Sequence, residues 1–192
     1  MTVAVSDIEN RVRQRTRRDN TADLTSARLT EILQEAVKEI SRILLCLEAS
    51  TTGTLSSSTN TITAPSGMVE SEAAIDELYL DTDLLDPITF EEWRAGNVRG
   101  YAYRDGTIYV SPTPDNDKSY TLYYRKYHGT LSTNLEFDDD LKTAVFWLGC
   151  KKVYEDYELD DMANVAGVKY EQQININGPV EAVATSMRTV RE

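Results

Sequence analysis

Few residues in this sequence are equipped for chemistry. Its 192 residues include one histidine and two cysteines. His128 stands beside Gly129 after a strand-like run, where a lone histidine is a structural or surface residue. Cys46 and Cys150 lie in separate apolar, helix-like runs and read as two buried thiols of a reducing compartment. One histidine and two widely separated cysteines do not make a zinc site of the usual kinds. Asp81-Thr82-Asp83 and Asp115-Asn116-Asp117 hint at calcium, but neither continues with the glycine and glutamate of an EF-hand loop. No G-x-S-x-G, Walker A or G-x-G-x-x-G pattern occurs. The remaining candidate is the carboxylate cluster Glu155, Asp156, Glu158, Asp160 and Asp161. Paired acids there, Asp156 and Asp160 foremost, would suit hydrolysis, although the spacing points most of them in different directions. These residues predict no enzyme, no metal and no cofactor.

Charge offers more. The formal net charge is -12 and the charged fraction 27%. Acid is localised: residues 70–115 carry a net -8 and residues 136–161 a net -6, whereas residues 1–50 balance and residues 116–135 sum to +2. Such a balance argues against a grip on nucleic acid, which needs Lys and Arg to displace phosphate counterions. It suits a solvated surface, or an acidic wall that repels a polyanion. Basic residues crowd one place. Arg11, Arg13, Arg15, Arg17 and Arg18 are too closely spaced to share a single stripe, so they predict a basic exposed surface. That surface is either simply solvated or touches phosphate or an acidic neighbour.

The elements that carry these groups follow from periodicity. Ser6 and Glu9 form a capping-box pattern before a short helix over 6–18. Leu29, Ile32, Leu33, Ala36, Val37, Ile40, Ile43, Leu44 and Leu47 keep helical spacing and predict an amphipathic helix over 25–48. Residues 50–61 are Ser, Thr, Gly and Asn almost throughout, which reads as loop or hairpin material. Thr61–Ala64, Ile75–Asp81, Tyr101–Tyr103, Thr107–Val110 and Tyr120–Tyr127 read as strands, with Asp105-Gly106 as a hairpin turn. Pro87–Ala95 reads as one or two helical turns. Asp138, Asp139 and Asp140 open a helix containing Leu141, Ala144, Val145, Leu148, Val153 and Tyr154. Phe146 and Trp147 make that helix apolar around much of its girth, so it is central, and Gly149 with Cys150 permits close helix approach. A further helix runs from Asp160 to about Ile174, and Asn177-Gly178-Pro179 breaks it. Eleven tyrosines suit either protein interfaces or the exposed face of a two-sided sheet.

The expected fold is α+β: an antiparallel bundle of about four helices with a small antiparallel β insertion between the second and third, and an extended C-terminal tail. The expected divisions are 1–53 and 136–177 for the bundle, 54–135 for the insertion and 178–192 for the tail. No apolar run approaches the roughly 18 residues of a membrane span, and the N-terminus lacks the shape of a signal peptide. A cytoplasmic product is expected. The surface helices show no long hydrophobic seam, which predicts a monomer in isolation.

The segment Gly106–Asp115 (GTIYVSPTPD), then Tyr120–Tyr124 (YTLYY) and Leu131-Ser132 before a helix, resembles the head-to-tail connector adaptor proteins of tailed bacteriophages. The Pro65 turn after a Ser/Thr-rich hairpin and the order of helices around a β insertion are similar as well. The likeness spans nearly the whole chain in layout and is residue-specific over about 100–135. It implies a virion structural protein of the neck, made in the host cytoplasm and assembled as a ring of about twelve copies beneath the portal protein. Such a ring extends the channel for double-stranded DNA, without sequence-specific binding, and offers a platform to a tail or stopper protein. The alternative is a tail-completion or neck protein that binds the tail tube. The resemblance also implies a C-terminal segment reaching the portal. Here that is Val180, Val183, Ala184, Met187, Arg188, Val190 and Arg191, too few residues for a stable lone helix, so the segment orders on a partner. The arginine cluster has no counterpart in the family pattern; Arg11, Arg15 and Arg18 are candidates for contact with a neighbouring subunit or DNA.

Overall fold

The computed structural model describes residues 4–18, 23–137 and 139–177. In chain order the elements are α1 (Val5–Thr16), α2 (Ser26–Leu44), β1 (Glu48–Leu55), β2 (Thr61–Thr63), β3 (Ile75–Leu80), β4 (Asp83–Leu85), α3 (Phe90–Ala95), β5 (Gly100–Arg104), β6 (Thr107–Ser111), β7 (Lys118–Arg125), α4 (Lys142–Asp156) and α5 (Asp160–Asn177). They divide into two compact units. One holds the chain up to Cys46 and from His128 onward; the other is Leu47–Tyr127.

In the helical unit α2 behaves as its periodicity demands. Thr25 caps it, its hydroxyl accepting the Arg28 N–H at 3.2 Å. Leu29, Ile32, Leu33, Ala36, Val37, Ile40 and Leu44 are buried. The helix ends four residues earlier than expected. Leu45 turns left-handed at φ 47°, leaving Ile43 exposed and Cys46 at the surface rather than in the core. The start of α1 likewise departs from its local signal. Ala4 is the N-cap with no side-chain bond, and the Val5 N–H reaches the Thr133 carbonyl at 3.0 Å. Glu9, freed from the expected capping box, accepts the Thr30 hydroxyl. The aspartates before α4 form a 3-10 turn over Asp139–Leu141, and the α-helix begins at Lys142.

The other unit contains two antiparallel sheets, ordered β1-β7-β3-β4 and β2-β6-β5. In the first, Thr51, Leu122, Leu78 and Leu85 stand opposite one another across all four strands, and the three leucines are buried. The Asp105-Gly106 hairpin forms as expected, with φ of 49° and 75°. Helix α3 starts at Phe90 rather than Pro87, because Thr89 and Glu92 make a capping box. The Ile88 N–H instead bonds the Tyr101 carbonyl at 2.8 Å, so Pro87-Ile88 lies alongside β5.

These sheets overturn the expected bundle with a small insertion. Among the described residues there are five helices and seven strands, and the protein is α+β with a substantial β part. The difference has a local cause. The Ser/Thr-rich stretch after α2 reads as loop or hairpin with no strand marked out, yet 48–55 pairs with β7 along its whole length, from Glu48↔Arg125 to Leu55↔Lys118. Its side chains carry little hydrophobic signal; the β7 partner makes it a strand.

Candidate assembly surfaces on the helical unit

Helix α4 is the hub. Gly149 is buried where three helices meet: a Cβ there would lie 2.8 Å from Leu33 of α2 and 3.5 Å from Val12 of α1. Cys150 beside it is buried, which pushes its thiol up to about 12 despite the opposing fields of Arg15 and Arg11. On another side the Lys151 stem lies 3.4 Å from where a Cβ on Gly167 of α5 would sit. Lys152 bridges to Glu39 at 3.1 Å and Glu35 at 3.7 Å, and Arg28 takes Asp156 in a fork with both bonds at 2.8 Å.

The arginines are more ordered than their spacing suggests. Arg11 and Arg15, at i and i+4, share one side of α1, and Arg18 joins them just beyond the left-handed turn at Arg17 that ends the helix. Their guanidiniums lie over Phe146 at 4.7 Å, Trp147 at 5.4 Å and Tyr157 at 4.0 Å. Arg13 turns elsewhere, donating to the Leu24 carbonyl and to Ser26. Aromatic rings thus hold three arginines in place, and among the described residues no carboxylate pairs with any of the three.

The carboxylate cluster does not converge. Asp156 is held by Arg28, Glu155 by Lys151 at 2.7 Å, and Asp160 and Asp161 occupy the first turn of α5. No group of three His, Cys, Asp or Glu that could hold a metal exists among the described residues. The two Asp-x-Asp segments tie down turns instead. Asp81 accepts from Lys118 and Ser119, which keeps its carboxyl below the usual range. Asp83 pairs with Arg99, and Asp117 accepts the Ser57 N–H. His128 is buried in a structural latch. Its Nε2 accepts the Glu136 N–H at 2.8 Å, its Nδ1 faces the Gly129 carbonyl, and its own N–H donates to Ser41 Oγ at 2.9 Å. Gln34 secures the same segment, accepting from the Leu131 N–H and donating to the Gly129 carbonyl.

One surface does not follow from the sequence reading. Helix α5 buries Ala163, Ala166 and Tyr170, whereas Met162, Val165 and Val168 are 48–54% exposed and Ile176 is 73% exposed. The expectation that no hydrophobic seam remains on a surface helix is therefore incorrect. The signal was available: α5 is apolar on two sides, and only one can face α4. The expected docking residues Val180, Val183, Ala184, Met187, Arg188, Val190 and Arg191 lie outside the described residues. No helix among the described residues is long and apolar enough to cross a membrane.

Comparison with known proteins agrees with a building-block role. The family model described as SU10 adaptor protein matches residues 1–191, essentially the whole chain. No curated protein matches the chain.

Proposed function

Since the chain belongs to the SU10 adaptor protein family and is thereby a phage adaptor protein, we propose that it forms a ring beneath the portal, extends the DNA channel and presents a docking platform to the tail or stopper. The whole-length family match is the observation that carries this reading. The exposed surfaces of the helical unit support it, because a ring of identical copies needs faces that do not satisfy one another within one chain. The protein works by assembly, in the neck of the virion. Its partners are the portal protein, a tail or stopper protein, and copies of itself. Its acidity serves passage: with a net charge of -12, counterion release gives sliding DNA little reason to stick.

In this reading the segment after Gly178 docks on the portal through Val180, Val183, Ala184, Met187 and Val190, flanked by Arg188 and Arg191. Arg11, Arg15 and Arg18 contact a neighbouring copy or the passing DNA. The test mixes full-length protein with its portal and images the product by negative-stain electron microscopy. Rings on the portal are expected, and a chain ending at Gly178 binds markedly less. Equal binding by the shortened chain removes the tail assignment. Retention on the tail tube instead of the portal replaces the whole reading with that of a tail-completion protein.

A further inference from the structure

Two surfaces of the helical unit are complementary and belong to the same chain. The first is the outward face of α5. Met162, Val165 and Val168 fall within about 120° of arc at 100° per residue and form one apolar patch, and Ile176 lies on the same side two turns on, beyond Lys169 and Gln172. Exposed carboxylates accompany it: Asp161 within the arc at its start, and Asp160 and Glu171 along one side. None of these three has a basic partner among the described residues. Lys169 also lies on this side, its Nζ 3.5 Å from Gln172. The second surface is formed by Arg11 and Arg15 of α1 with Arg18 just beyond it, lying over α4 aromatics and Tyr157 and equally without a charge partner among the described residues.

We infer that the apolar, acid-bordered face of α5 in one copy packs on the arginine–aromatic face of α1 and α4 in the next copy. The inference rests on the ring reading and deepens it by naming the faces. Arginine held over aromatic rings suits an interface, because the side chain already has a contact that orders it and the rings offer apolar area. The α5 stripe supplies the apolar counterpart and its border the opposite charge. A second copy fits better than DNA, which would match the arginines but leave the α5 stripe uncovered and meet repulsion from its carboxylates. Because the two faces differ, the contact is head-to-tail and closes into a ring when the rotation per copy allows.

The test uses the full chain and sedimentation velocity over a wide concentration range, alone and beside the portal. Arg15→Glu with Arg18→Glu makes one variant; Asp161→Arg with Glu171→Arg makes a second. Each weakens self-association by about tenfold or more, the effect of roughly 1.4 kcal/mol of lost interaction. A one-to-one mixture of the two variants associates again, through the pairing in which altered face meets altered face with opposite charge. A single chain carrying all four changes also recovers. Met162→Glu abolishes association with no loss of helical circular dichroism. If the wild type assembles and all variants assemble equally well, the named faces are wrong while the ring reading stands. The faces are equally wrong if the arginine variant loses only retention of duplex DNA. If the wild type stays monomeric alone and on the portal, the ring reading fails and this assignment with it.

Discussion

Gly149 offers the sharpest test of how the helical unit is held together. Replacing it with alanine adds one methyl group to the three-helix junction, 2.8 Å from Leu33 Cδ2 and 3.5 Å from Val12 Cγ2. Both neighbours are buried, at 1% and 0% exposure, so the methyl meets a packed wall. Alanine gains about 1 kcal/mol over glycine in a helix interior. Overpacking costs about 1–3 kcal/mol. The net expectation for Gly149→Ala is a loss of about 1 kcal/mol, from these two principles together. Leu33→Ala alone opens a cavity and costs about 2–5 kcal/mol. In that background the clash is gone, and Gly149→Ala becomes stabilising by about 1 kcal/mol. The coupling energy between the two sites is then about 2 kcal/mol, well above the additivity expected of independent positions. Urea unfolding measures it, with Trp93→Phe as the common background so that Trp147 on α4 reports on this unit alone. Coupling below about 0.5 kcal/mol, or a Gly149→Ala that stabilises the otherwise native chain, refutes the close approach.

Three further outcomes follow from local environments. The Tyr170 hydroxyl is buried without a hydrogen-bond partner among the described residues, and burial, with Glu39 nearby, pushes it up to about 12. Tyr170→Phe therefore raises stability by about 1 kcal/mol in the same urea assay, and a comparable loss would reveal a partner for the hydroxyl. A thiol reagent at mildly alkaline pH modifies exposed Cys46 in the native protein and reaches Cys150 only on unfolding; two rapid equivalents would contradict the burial of Cys150. In the capping box of α3, the Thr89 N–H and hydroxyl lower the Glu92 carboxyl below its ordinary range. Its stabilisation is complete above that range and is lost as pH falls through the depressed value. The native chain is thus more stable than Glu92→Gln at neutral pH, and the gap closes in acid, read by Trp93 fluorescence in a Trp147→Phe background.

Local patterns were legible where a residue states its own requirement. Asp105-Gly106 accepts the two positive φ values of a tight hairpin, so that turn was readable without any partner. The leucine and isoleucine spacing of α2 likewise announced its buried face. Strand β1 was not readable, because Ser, Thr and Gly suit loop and strand alike until β7 is alongside. The arginine stripe was half legible. Spacing places Arg11 and Arg15 on one side of a helix, but only tertiary structure adds Arg18 past the helix end and brings the α4 and Tyr157 rings beneath all three.

By itself the sequence determined the long α2 helix, the central role of the apolar α4, and the acidic balance that argues against a grip on DNA. These are properties of one segment or of composition, written in residue type and period. Tertiary structure alone decided that 47–127 is a two-sheet unit rather than a minor insertion, that Cys46 is exposed, and that α5 turns an apolar face outward. Each of those depends on which surface finds a partner, and a helix that is apolar on two sides cannot say in advance which side α4 will take.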